Sequence, residues 1–182
     1  MTDTSSPLAG KQVAFLVAKE GIEQVELVEP WKAVEEAGGT PRLVSPKPGK
    51  VQAYHHLDRA DTFAVDVPVG EADPATFDAL VLPGGVANPD ALRLDEHAVA
   101  FAKAFMDSGK TVAAICHAAW TLVEGDCVRG RTLTSWPSLR TDVRNAGGTW
   151  VDEEVVVDGN LITSRKPDDL KAFNAKLVEA LS

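Results

Sequence analysis

Cysteine and histidine stand side by side at Cys116-His117, directly after an apolar run, Thr111–Ile115, and before a segment of helical spacing. A thiol delivered by a buried strand into a helix start is the setting of a nucleophile elbow, where the reactive side chain rides a sharp turn. Small neighbours, Ala114 and Ala118, would let strand and helix cross closely. The helix N-terminus would favour the thiolate through its dipole and free N–H groups. The alternative is a cysteine that only fills the core. His117 is open to three roles, general base, metal ligand or helix N-terminal residue, because adjacent side chains on a turn point in different directions.

Two further segments carry donors and acids. In Leu82-Pro83-Gly84-Gly85 the glycines allow backbone N–H groups to approach a developing oxyanion with no side chain in the way, although Pro-Gly-Gly is also an ordinary turn. Glu23 and Glu26 lie three apart, on one face of an opening helical turn, where acids also serve simply to compensate the dipole.

The elements that must position these groups follow from hydrophobic period. Residues 12–18 form a continuous apolar run with β-branched character, the pattern of a strand buried on both faces. Val25, Leu27, Val28, Trp31, Val34 and Ala37 then recur at helical spacing up to Gly38-Gly39, with Pro30 near the first turn or at a kink. Residues 42–45 read as a second strand, and a polar stretch with Pro and Gly breakers leads to 63–69. Ala79–Leu82 is a buried strand, 89–108 a helix, Thr111–Ile115 a central strand and 117–123 a helix. A short strand (132–134), a helix (138–146), a hairpin turned by Asp158-Gly159 and a final helix (167–181) complete the chain. Strands alternating with helices predict a layered α/β sheet with helices on both faces, whose ligands bind beyond the strand C-termini.

Composition narrows the function. The chain's 182 residues suit one domain, here 11–182 after a flexible N-terminus, 1–10. Lys plus Arg number 18 against 27 for Asp plus Glu, a net charge of -9 that repels phosphate backbones, so no nucleic-acid partner is expected. No run approaches the roughly 20 apolar residues of a membrane span, and the polar start lacks the apolar centre of a signal peptide, so the expected setting is cytoplasmic. Cys116 and Cys127 read as reduced thiols, and with four histidines they give no CxxC or HExxH spacing; no metal or cofactor is expected.

Read together, Gly21-Ile22-Glu23-Gln24-Val25-Glu26 with Pro30, Phe77-Asp78-Ala79-Leu80-Val81-Leu82-Pro83-Gly84-Gly85, Ala114-Ile115-Cys116-His117, Asn145-Ala146-Gly147 and Glu154-Val155-Val156-Val157-Asp158-Gly159 resemble the PfpI family of intracellular proteases. That family lies in the superfamily of the Parkinsonism-linked protein deglycase and the class I glutamine amidotransferase domains. The similarity runs from about Lys11 to Ser182. It implies a flavodoxin-like three-layer α/β/α sandwich with a mainly parallel sheet, and a homodimer or larger assembly. It implies Cys116 as nucleophile, His117 as adjacent base or orienter, and Glu26 as the acid that hydrogen-bonds the sulfur. The Gly85 and His117 N–H groups would form an oxyanion hole, with Gly84 and Glu23 beside the substrate. Asp90 is the nearest match to an acid that some members borrow from a neighbouring subunit. The chain departs from the family where Ala118-Ala119-Trp120 replaces the usual Gly-Pro, and where Tyr54-His55-His56-Leu57-Asp58 replaces a glycine- and lysine-rich hairpin. His55 and His56 are expected to face solvent, and Cys127 to be a partly buried structural thiol.

These residues admit a stress-response hydrolase whose Cys116 thiolate attacks the carbonyl of a peptide or of a glyoxal or its adduct, the small cleft favouring small carbonyls. They also admit a redox-sensing protein in which Cys116 is oxidised to sulfenic or sulfinic acid beside a protonated Glu26. A chaperone-like or purely structural dimer would need no reactive thiol.

Overall fold

A computed structural model describes residues 6–182. Of the N-terminal stretch expected to be flexible, 1–5 lies outside the described residues, while Leu8 is fully buried and donates its N–H to the Ala37 carbonyl at 2.8 Å.

The apolar run that opens the fold is β1 (Gln12–Leu16). Its side chains alternate between two cores, Val13 and Phe15 entering one and Ala14 and Leu16 the other, as burial on both faces requires. A short β2 (Glu20–Glu23) feeds α1 (Gln24–Glu36), followed by β3 (Thr40–Ser45), β4 (Lys50–His55), β5 (Asp58–Ala64) and β6 (Val67–Pro68). Next come β7 (Ala79–Leu82), α2 (Ala87–Leu92), α3 (Glu96–Ser108) and β8 (Thr111–Ile115), which enters α4 (Ala119–Glu124) through one 3-10 turn. The remainder is β9 (Thr132–Leu133), α5 (Arg140–Asn145), β10 (Thr149–Trp150), β11 (Val155–Asp158), β12 (Leu161–Ser164) and α6 (Leu170–Leu181).

Seven strands form the central sheet in the order β11-β12-β8-β7-β1-β3-β6, parallel except for β11 against β12. Leu27 and Val34 of α1 and Phe173 and Leu177 of α6 pack on one face; Phe101 and Phe105 of α3 and Leu122 of α4 pack on the other. The chain leaves β1 toward β3 on one side and returns to β7 on the other. Their C-terminal ends therefore diverge into a crevice at the switch point, the place where such sheets bind ligands.

Several elements differ from the sequence expectation. The helix expected over 89–108 is two helices, because Asp95 accepts a hydrogen bond from the Ala98 N–H at 2.9 Å and so starts a new one. Leu94, counted among its apolar positions, is 84% exposed in the gap. Pro30 is in the middle of α1 and denies the Glu26 carbonyl its helical partner. The polar stretch after β3 contains β4 and β5, a hairpin whose β4 pairs with β2 to make a separate three-stranded sheet. Only Val51 and Ala53 of that hairpin are buried, too little apolar alternation to mark two strands.

Candidate active site

Four chain turns converge on the crevice. β8 ends at Ile115, and Cys116 follows with φ +63°, a left-handed backbone that costs a non-glycine residue on the order of 1–3 kcal/mol. The turn is held because the Cys116 carbonyl accepts from the Trp136 N–H at 3.1 Å. This is the elbow expected from the sequence, and it places the Cys116 sulfur 3.2 Å from His117 Nδ1. His117 packs against Trp136, ring centroids 5.7 Å apart and nearly parallel, and against Trp120 at 5.2 Å. Burial holds its pKa below the ordinary histidine value, so the ring is neutral at neutral pH and able to accept a proton.

Glu26 lies on the first turn of α1 and is fully buried. Its Oε2 accepts from the Gly84 N–H at 2.9 Å. Burial first, and then the charge of Glu23, push its pKa up to about 8. The thiol is pushed up as well, by burial and by the facing Glu26 charge, whereas N–H groups of Gly85 and His117 directed at the sulfur pull it down. The short helix start therefore does not by itself give the low thiol pKa expected from the sequence. A protonated Glu26 removes the opposing charge and leaves burial as the main cause that keeps the thiol up. The two N–H groups expected to form an oxyanion hole are the same pair that converges on the sulfur.

The glycine turn is built for this contact. A Cβ on Gly84 would strike Cys116 Cβ at 2.6 Å and the Ile115 carbonyl at 2.7 Å, and would overlap Glu26 Oε2. Gly85 has φ +84° and lies against the Gly21 carbonyl, so only glycine fits. Asn88 clamps the turn. Fully buried, it donates to the carbonyls of Pro83 at 2.9 Å and Gly84 at 3.0 Å and accepts from the Ala18 N–H at 2.7 Å. Gly84→Ala is expected to lower the thermal midpoint by several degrees and to slow Cys116 alkylation at least about tenfold, since the Ile115 carbonyl and the Cys116 Cβ it would meet cannot swing away. Thermal unfolding and iodoacetamide kinetics on the same sample check it; an unchanged alkylation rate would show that the close packing at Gly84 does not govern the thiol.

The cleft measures about 470 Å³. Glu23, Glu26, Gly85, Cys116 and His117 line it, Gly84 lies beneath, and Asp90 does not reach it, being exposed on α2. His55 is exposed as expected. His56 is exposed as well, and at φ +58° it turns the β4–β5 hairpin at the edge of the cleft, its N–H donating to Glu23 Oε2 at 3.1 Å. Cys127 is half-buried and donates to the Gly125 carbonyl at 3.4 Å. Asn88, Trp136, Tyr54 and Glu20 carried no readable signal, because each reaches the site from an element whose place depends on the folded sheet. Among the described residues, no group of three His, Cys, Asp or Glu side chains is placed to hold a metal ion, and no helix is long and apolar enough to cross a membrane.

A family model for the DJ-1/PfpI family matches residues 11–180. The chain belongs to the DJ-1/PfpI family. It is 42% identical over 167 residues to a deglycase of Thermococcus kodakarensis, covering 92% of this chain and 98% of that one. It is 40% identical over 171 residues to YraA of Bacillus subtilis, whose name proposes a cysteine protease, covering 94% and 98%. The crystal structure of Drosophila melanogaster DJ-1beta superposes with a TM-score of 0.85 at 28% identity, covering 94% of this chain and 90% of that one. The DJ-1/PfpI sandwich thus carries the elbow, the glycine turn and the buried glutamate at three neighbouring strand ends, β8, β7 and β1.

Proposed function

We propose that this chain is a cysteine-dependent hydrolase of the PfpI type, acting on small carbonyl compounds or on their adducts with amines. The observation that carries the reading is the Cys116 sulfur 3.2 Å from a neutral His117 Nδ1, with the Gly85 and His117 N–H groups aimed at the same point. Names of relatives, deglycase and cysteine protease, support a hydrolase. In the first step the sulfur bonds to the carbonyl carbon, its proton passes to His117 Nδ1, and the π electrons move to oxygen. The resulting oxyanion is held by the N–H pair. For an acyl substrate, the imidazolium then gives its proton to the departing amine and leaves a thioester. Water cleaves that thioester to a carboxylic acid and restores the thiol. Glu26, held protonated by burial, keeps charge away from the sulfur during attack.

Turnover of methylglyoxal-modified N-acetyl-lysine and of a plain peptide, measured side by side with Cys116→Ala as blank, tests the proposal. The adduct is expected to turn over faster than the peptide, and neither in the blank. A rate that survives in the blank would remove Cys116 from the chemistry.

The functional unit is proposed to be a homodimer or larger. Leu57, 95% exposed, and Val86, 57% exposed, form an apolar rim at the cleft mouth, the kind of surface that a second copy covers. Asp90 stands outside the cleft of its own subunit and would serve His117 only in a neighbour's. Light scattering at micromolar concentration is expected to give at least twice the 19.4 kDa chain mass; a fully active monomer would remove both the dimer and any part for Asp90.

A further inference from the structure

The walls of the cleft carry charge of one sign. Glu20 and Glu23 lie on β2 at its edge, Glu26, neutral while it keeps its proton, is on its floor, and neither Lys nor Arg is among its lining residues. Basic groups on neighbouring segments stay out of the lining: Arg165 is bound to Asp169 and Asp152, Lys166 pairs with Asp168, and Lys19 and Arg59, both exposed, do not line the cleft. The Glu23 carboxylate accepts from the His56 backbone N–H at 3.1 Å, with the His56 ring 3.9 Å away. Glu20 is exposed and has no ion-pair partner among the described residues. Glu26, fully buried, keeps Oε1 without a hydrogen-bond partner in the floor. Tyr54, beside Glu23 in the β2–β4 register, and Trp136 add aromatic surface to the lining, the usual companion of a carboxylate where an ammonium or guanidinium is bound.

We propose that the cleft selects carbonyl substrates bearing an ammonium or guanidinium group, and that Glu20 is the residue that reads this charge. Anionic carbonyl compounds are disfavoured by Glu20 and Glu23, since no Lys or Arg lines the cleft to offset them. The inference rests on Cys116 as the reactive group and adds to it the charge of what the group attacks. Glu20 touches the remote cationic end and not the reacting carbon, so it governs selection more than the chemical step.

The test reads the thiol without turnover. In a Cys127→Ser background, Cys116 is labelled with a cationic and an anionic methanethiosulfonate, 2-(trimethylammonium)ethyl and 2-sulfonatoethyl. In each case the sulfur displaces methanesulfinate, forms a mixed disulfide and releases its proton to solvent. The ratio of the two rates, divided by the same ratio for 2-mercaptoethanol, is expected to exceed about tenfold in favour of the cation and to shrink as added salt screens the charges. Glu20→Gln is expected to cut it at least about threefold, whereas Glu71→Gln, an exposed acid remote from the cleft with the same change in net charge, leaves it unmoved. A ratio equal to that of the free thiol, or equal losses in the two variants, would overturn the charge reading and leave the hydrolase standing. Absence of label on Cys116 with either reagent would overturn both.

Discussion

Cys116→Ser is expected to lower kcat/KM by at least about a thousandfold while leaving the unfolding midpoint within a degree or two, since the serine hydroxyl occupies nearly the same space but is a far weaker nucleophile at this position. His117 Nδ1, at 3.2 Å, can take a thiol proton, but among the described residues it has no carboxylate partner to strengthen it against a hydroxyl; it packs on the rings of Trp120 and Trp136. Cys127→Ser is expected to stay within about twofold of wild type, because that thiol is a half-buried donor to the Gly125 carbonyl, outside the cleft. Steady-state kinetics of both variants with urea unfolding of each give the comparison. Equal losses in the two, with both folds preserved, would transfer the chemistry away from the elbow.

The second large effect is a pH dependence of stability centred on Glu26. Its carboxyl goes from an ordinary 4.5 in the unfolded chain to about 8 in the folded one, so between these values the folded protein holds a proton that the unfolded chain has released. Stability is therefore fully present below about pH 4.5 and is lost as pH rises toward 8. From pH 5 to 7.5 this single group should cost on the order of 3 kcal/mol. Glu26→Gln keeps an oxygen to accept from the Gly84 N–H and cannot ionise, so its urea midpoint should change far less over the same range and exceed that of wild type at the alkaline end. Glu26→Ala loses the acceptor as well and leaves the Gly84 N–H unpaired, so it should be the least stable of the three at pH 5 and disturb Cys116 alkylation the most. Parallel pH profiles for wild type and Glu26→Gln would show that the buried carboxyl does not hold its proton.

Both expectations depend on the same arrangement, in which acid and thiol share a desolvated space too small for two negative charges. The geometry explains why Gly84 and not a larger residue stands between them, and why Asn88 donates to the carbonyls of Pro83 and Gly84 while its oxygen ties the turn to Ala18. A rigid turn keeps the N–H donors aimed at the sulfur before any substrate arrives, which is what electrostatic preorganisation requires.

The order of β1, β7 and β8, the two-sided burial of each, the elbow at Cys116 and the glycine turn could be read from the chain itself, because local period and turn chemistry determine them: an apolar run without alternation must be covered on both faces, and Pro-Gly-Gly cannot continue a strand. Spacing places Glu23 and Glu26 on one face of an opening helical turn, whereas the inward role of Glu26 follows only from the family resemblance; the structure keeps Glu26 on α1 and sets Glu23 on β2. Tertiary structure decided what lies beside these groups. The break between α2 and α3 comes from one side-chain cap that competes with a continuing apolar spacing, and the β4–β5 hairpin owes its strands to pairing with β2 across about thirty residues rather than to its own polar sequence. The same pairing carries His56, Leu57 and Tyr54 over the cleft and sets Glu20 at its rim. The protonation of Glu26 belongs to this second class, since a carboxyl's pKa is fixed by the water it loses and the charges it meets, and both exist only after β1, β7 and β8 have brought their ends together.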